Sequence, residues 1–143
     1  MKTYIITCDS RVDQTISLYE YFVSKYWPNA NITVLGYKNP TYKSNIIKFV
    51  SLGKDLGPNF LNEQLFNYFS STKESNFIFN VDDMPPIRPV NDDLITYAQK
   101  LLENDSQIGR IGLTCDNKNR PYSNISDKIF QNHQNSNYKL SAV

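Results

Sequence analysis

The feature that most constrains this chain is the apolar run Asn76-Phe77-Ile78-Phe79-Asn80-Val81, which ends abruptly in Asp82-Asp83. A run of that length and composition predicts a strand buried on both faces. Pro85 and Pro86 stop it almost at once, and Met84 must be extended because a proline follows it. The sheet therefore carries two negative charges at a carboxyl edge, the edge where open α/β sheets bind ligands. Crowded carboxylates repel one another and are best accommodated around a divalent cation. The plainer reading is a turn, because Asp is also a common residue for leaving a strand.

The rest of the chain supplies the context for that strand. Thr3 to Cys8 and Asn31 to Tyr37 read as strands, and Ile46 to Leu52 is a further short apolar run. Between the first two, Ile16, Tyr19, Phe22, Val23 and Tyr26 fall at helical spacing, with Asp13 as N-cap and Pro28 as stop. Gly57-Pro58 opens a second helix with Leu61, Leu65, Phe66 and Phe69 as its apolar face. Asn91 caps a third, with Asp92 and Asp93 in its first turn and a stripe of Leu94, Ile95, Ala98, Leu101 and Leu102. Arg110 to Cys115 reads as another strand. The order β-α-β-β-α-β-α-β predicts an α/β fold, a mostly parallel sheet flanked by helices on both faces.

Bulk properties narrow the class. A chain of 143 residues suits one domain over 1–143 with a core of its own. A net charge of +1 gives no bulk attraction to nucleic acid or an anionic membrane. Cys8 and Cys115 lie in apolar runs and read as small packed hydrophobes, not a disulfide pair. Residues 1–8 read as too short for a signal peptide, since the polar Asp9-Ser10-Arg11 follows at once, and no apolar stretch approaches the roughly 18 residues of a membrane span. A soluble, cytoplasmic protein is the expectation. Residues 116–137 are polar and read as a long loop or loose hairpin. Residues 138–143 are strand-like at the chain's very end, which suits a longer protein cut short or a natural C-terminal strand.

The run Phe77-Ile78-Phe79-Asn80-Val81-Asp82-Asp83-Met84-Pro85-Pro86, continuing through Ile87-Arg88-Pro89-Val90 into a helix, resembles the DxD region of GT-A fold glycosyltransferases. The opening strand running into Asp9, Ser10 and Arg11 resembles that family's first strand and loop, and the likeness spans residues 3–115. With Asp83 as the motif's last acid, Val81 occupies its first position; with Asp82 last, Asn80 does. The resemblance implies a Rossmann-like nucleotide-diphospho-sugar transferase architecture and a UDP- or GDP-sugar donor. It also implies a Mn2+ or Mg2+ ion, with Asp83 as metal ligand and Asp82 as its partner, on the metal or on the donor. Thr7, Asp9 and Arg11 become the candidates for the nucleotide. Catalysis of sugar transfer and donor binding without catalysis are both compatible with it. No glycine-rich phosphate loop is present, which favours phosphate held through a metal.

Other candidates are weaker. Asp9 or Ser10 can equally cap the turn into the first helix. Lys38 and Lys43 can meet phosphate but suit a solvated loop, His133 suits the surface, and Asp116 could face an acceptor. A receiver-like magnesium-binding signalling domain also places acids at strand ends, but wants its acid pair after the first strand. A purely structural module with a turn at Asp82-Asp83 is the third reading.

Overall fold

The computed structural model describes residues 1–113. The chain divides into two compact units, Met1–Val90 and Asn91–Val143. The first holds β1 (Lys2–Ile6), α1 (Val12–Tyr26), β2 (Asn31–Gly36), β3 (Ile47–Ser51), α2 (Leu61–Ser71) and β4 (Phe77–Val81), with a 3-10 turn at Pro58–Phe60 leading into α2. The second holds α3 (Asp92–Asn104).

The four strands form one all-parallel sheet in the order β3-β2-β1-β4. Isoleucine, valine, threonine and aromatic residues dominate them, as a pleated surface favours. Successive strand residues face opposite ways, and β1 shows both environments. Ile5 joins Val12, Ile16, Tyr19 and Val23 of α1, with Ile32, Val34 and Ile47, in the main apolar core. Tyr4 faces the other way, with its ring edge-on to Tyr68 at 5.8 Å, Phe69 at 5.1 Å and Phe77 at 5.5 Å. The expected helices on both faces are therefore present: α1 covers one and α2 the other.

α1 forms because its apolar residues recur every three or four positions, and it ends where Trp27 meets Pro28. It begins at Val12, earlier than the sequence suggests, and Asp13 is not its N-cap; Arg11 holds that position without a side-chain cap. The Asp13 carboxylate is engaged elsewhere, accepting from the Thr41 amide at 2.7 Å, the Thr41 hydroxyl at 2.7 Å and the Tyr42 amide at 2.8 Å.

Three further expectations are corrected. β4 is not buried on both faces: it stands last in the described sheet order, paired only to β1, and Phe79 and Val81 are 43% and 40% exposed. On α2, Phe66 is 70% exposed, and Tyr68 takes its place on the inward face. Cys8 does not pack in the core, because β1 ends at Ile6 and the thiol lies in the exposed loop beyond it.

In the second unit, the Asn91 side chain caps α3 as expected, accepting from the Leu94 amide at 3.1 Å, and Ala98 is its buried centre. Residues 110–113 form no strand. The remainder of that expected strand, Cys115, Asp116, His133 and the strand-like end at 138–143 lie outside the described residues. Among the described residues no helix is long and apolar enough to cross a membrane.

Candidate functional site

The chain steps outward from β1 through β2 to β3, then returns across β1 to place β4 on its other side. The direction of winding reverses between β1 and β4. In open parallel sheets the crevice beyond the carboxyl ends at such a reversal is the ligand site. Here the two bordering segments are Thr7–Arg11 and Asp82–Asp83, the regions singled out from the sequence.

Parallel register brings them together. Ile6 lies opposite Val81, so the next pair outward is Thr7 and Asp82. The Thr7 hydroxyl donates to Asp82 Oδ2 at 2.9 Å, and the Thr15 hydroxyl of α1 lies 2.9 Å from Thr7 Oγ1. Thr7 has one hydroxyl proton, and the Cys8 carbonyl at 3.4 Å competes for it. The Asp82 oxygen is the nearer acceptor, so the hydroxyl donates to it. Thr15 must then be the donor to Thr7. This relay runs from helix to strand to acid within buried surroundings, since Thr7 and Thr15 are 4% and 3% exposed.

Arg11 Nε stands 3.7 Å from the same Asp82 oxygen, a loose ion pair on an exposed side chain. Asp82 itself keeps only 11% of its side chain exposed. Asp83 is exposed, and among the described residues no hydrogen bond reaches its carboxylate. One acid is thus turned into the protein and the other out of it.

Asp9 diverges from this group. Its Oδ1 accepts from the Lys38 amide at 2.8 Å, tying the first loop to the segment after β2. Lys38 and Lys43 are exposed. Of the predicted nucleotide contacts, Thr7 and Arg11 meet at Asp82, while Asp9 anchors backbone.

Several residues at the site were given no role of this kind from the sequence. The exposed Cys8 thiol lies 3.3 Å from the Ser10 hydroxyl, which together with the neighbouring Arg11 holds it below its ordinary pKa. Tyr19 donates its hydroxyl to the Val81 carbonyl at 2.8 Å. The Asn80 amide donates to the Met84 carbonyl at 2.7 Å. Asn80 carried a signal, as the polar interruption in an apolar strand; Tyr19 was read only as part of a buried stripe. Gly36, at the end of β2, leaves room beside Thr7: a Cβ there would lie 3.3 Å from Thr7 Cγ2 and 3.2 Å from the Phe49 ring.

Among the described residues no three histidine, cysteine or acidic side chains converge as a ready-made metal cage. Asp82 and Asp83 do supply oxygen donors, the type that Mg2+ and Mn2+ take. Ions of this kind are commonly bound by one or two carboxylates together with water and substrate phosphate. The donor set fits a substrate-completed site.

Compared with known proteins, the chain matches no family model, no curated protein and no solved structure.

Proposed function

We propose that this chain is a glycosyltransferase-like domain of GT-A type, binding a nucleotide-sugar donor through a divalent cation at Asp82 and Asp83. The observation that carries the reading is the position of the acid pair at the winding reversal between β1 and β4, with Asp82 bonded to Thr7 across it. The order β3-β2-β1-β4 matches the first four strands of the dinucleotide-binding order 3-2-1-4-5-6, switch point included. It differs from the flavodoxin-like order of receiver domains, in which β1 lies between β2 and β3.

In this reading Asp83, exposed toward solvent, ligates the ion, and Asp82 supports it while held in place by Thr7. Asp83, with Asp82 in support, would hold Mn2+ or Mg2+, which would supply positive charge to offset that on a departing nucleoside diphosphate. The protein's own part is to orient. Thr15 and Thr7 fix the Asp82 carboxylate, and Arg11 adds positive charge at the rim where an anionic donor would enter. No described side chain is assigned as general base.

Calorimetry of the 143-residue chain with UDP- and GDP-sugars, with Mn2+, with Mg2+ and with neither, tests the proposal. Cation-dependent binding that Asp83→Ala abolishes supports it. No nucleotide binding with either cation sinks it.

A further inference from the structure

We infer that Tyr19 and Asn80 are positioning residues that hold the Val81–Met84 turn, and with it both carboxylates, in the geometry a cation and nucleotide require. The inference rests on the functional reading above and adds two residues to it.

β4 ends at Val81, and the Met84 amide donates back to the Val81 carbonyl at 3.3 Å. This closes a four-residue turn whose two central residues are Asp82 and Asp83. The turn answers a geometric difficulty. In a continuing strand, consecutive side chains point to opposite faces, and two adjacent acids could not serve one ion. The chain turns at these two residues, so strict alternation does not govern them, with Asp82 facing Thr7 and Asp83 facing solvent.

Such a turn is poorly equipped to hold itself. Its closing bond is long for an amide and a carbonyl. Its central residues are two like charges that repel. Support comes from outside. The Val81 carbonyl accepts a second bond from the Tyr19 hydroxyl at 2.8 Å. At the turn's other end, the Asn80 amide nitrogen donates to the Met84 carbonyl at 2.7 Å and lies 3.4 Å from the Tyr19 oxygen. The two side chains therefore bracket the turn at its first and last carbonyls and contact each other.

Their placement suits the task. Tyr19 is 1% exposed on the packed face of α1, so its hydroxyl has little freedom to wander. α1 also carries Thr15, so one rigid helix supports both the turn and the Thr7 relay. Burial, and then the nearby Asp82 and Asp83 charges, push the Tyr19 phenol well above its ordinary range. It therefore stays protonated, and remains a donor, at any working pH.

The experiment uses Tyr19→Phe and Asn80→Leu in the 143-residue chain, with two readouts. The first needs no ligand: amide hydrogen exchange at Met84, measured against the interior of β4. The second is Mn2+-dependent affinity for a UDP- or GDP-sugar at matched thermal stability. Asn80 is only half-buried, so its variant serves if Tyr19→Phe folds poorly. Losing one such bond is expected to speed Met84 exchange, and to weaken cation-dependent binding, by about tenfold each. Unchanged exchange in both variants overturns the inference and leaves the functional reading standing. Faster exchange with unchanged affinity overturns the positioning role. A wild-type chain that binds no nucleotide overturns the functional reading and takes the positioning role with it. Met84 exchange then still reports whether the two side chains hold the turn.

Discussion

The Thr7 hydroxyl donates to the Asp82 carboxylate across 2.9 Å, joining two strand ends that lie 75 residues apart in the chain. Thr7 is 4% exposed, and the Asp82 side chain 11%, so this bond is largely shielded from competing water. Thr7→Val keeps the shape and removes the donor. A buried acceptor that loses its partner costs about 1–3 kcal/mol, and urea unfolding at constant slope will register that loss. In a double-mutant cycle with Asp82→Asn, the two effects should fall short of additivity by about 1 kcal/mol. Strict additivity argues against the pairing.

The two acids should separate cleanly. Asp83→Asn alters an exposed side chain, and stability should stay within about 0.5 kcal/mol of wild type. Asp82→Asn gives up a charge-assisted bond in a shielded place, and about 1–3 kcal/mol should go with it. Both should weaken cation-dependent nucleotide binding. Thermal melts beside calorimetry distinguish the patterns, and equal melting temperatures for the two variants would contradict the inward and outward division.

Acid should release the segment between β2 and β3. The Tyr42 amide first, then the Thr41 hydroxyl, hold the Asp13 carboxyl below its ordinary value of 3.8. A depressed folded-state value stabilises the native contact above the unfolded pKa and loses that contribution as pH falls through the folded one. The anchoring is therefore complete at neutral pH and fades below about pH 4. Amide exchange at Thr41 and Tyr42, after correction for intrinsic rates, should rise on acidification. Asp13→Asn should show fast exchange throughout, with that acid step missing.

The fold was legible where patterning alone decides it. The succession of strands and helices over the first 81 residues and the Asn91 cap follow from β-rich runs, helical spacing and local capping chemistry. Misreadings came where a side chain's partner is distant in sequence. Asp13 looks like a cap until Thr41 and Tyr42 arrive to claim it. Phe79 is exposed on a strand that, among the described residues, pairs only with β1, and the composition of β4 does not encode that. Local sequence placed Asp82 and Asp83 at a strand end; only parallel register brings Thr7 to one of them.

Gly36 should tolerate little. Its missing Cβ would lie 3.2 Å from the Phe49 ring and 3.3 Å from Thr7 Cγ2. The half-buried Phe49 ring can yield slightly, whereas Thr7 is tied through its amide to the Leu35 carbonyl at 3.0 Å and through its hydroxyl to Asp82. Gly36→Val is expected to cost about 1–3 kcal/mol through overpacking, with Gly36→Ala milder. Denaturant midpoints check this, and a Val variant as stable as wild type would show that the pocket beside Thr7 has slack.

β2 and β3 are adjacent and parallel, yet residues 37–46 join them without a helix. Crossovers between parallel strands ordinarily rely on a helix to make the return. Here Asp9 and Asp13 receive the returning backbone, and Glu20 receives the Tyr42 hydroxyl at 2.6 Å. All three belong to α1 or the loop that leads into it. The expected order of folding follows from these contacts: α1 winds and docks first, and the crossover with β3 forms late. Removing the Thr41 hydroxyl should therefore speed unfolding in a denaturant chevron and leave the refolding rate nearly untouched.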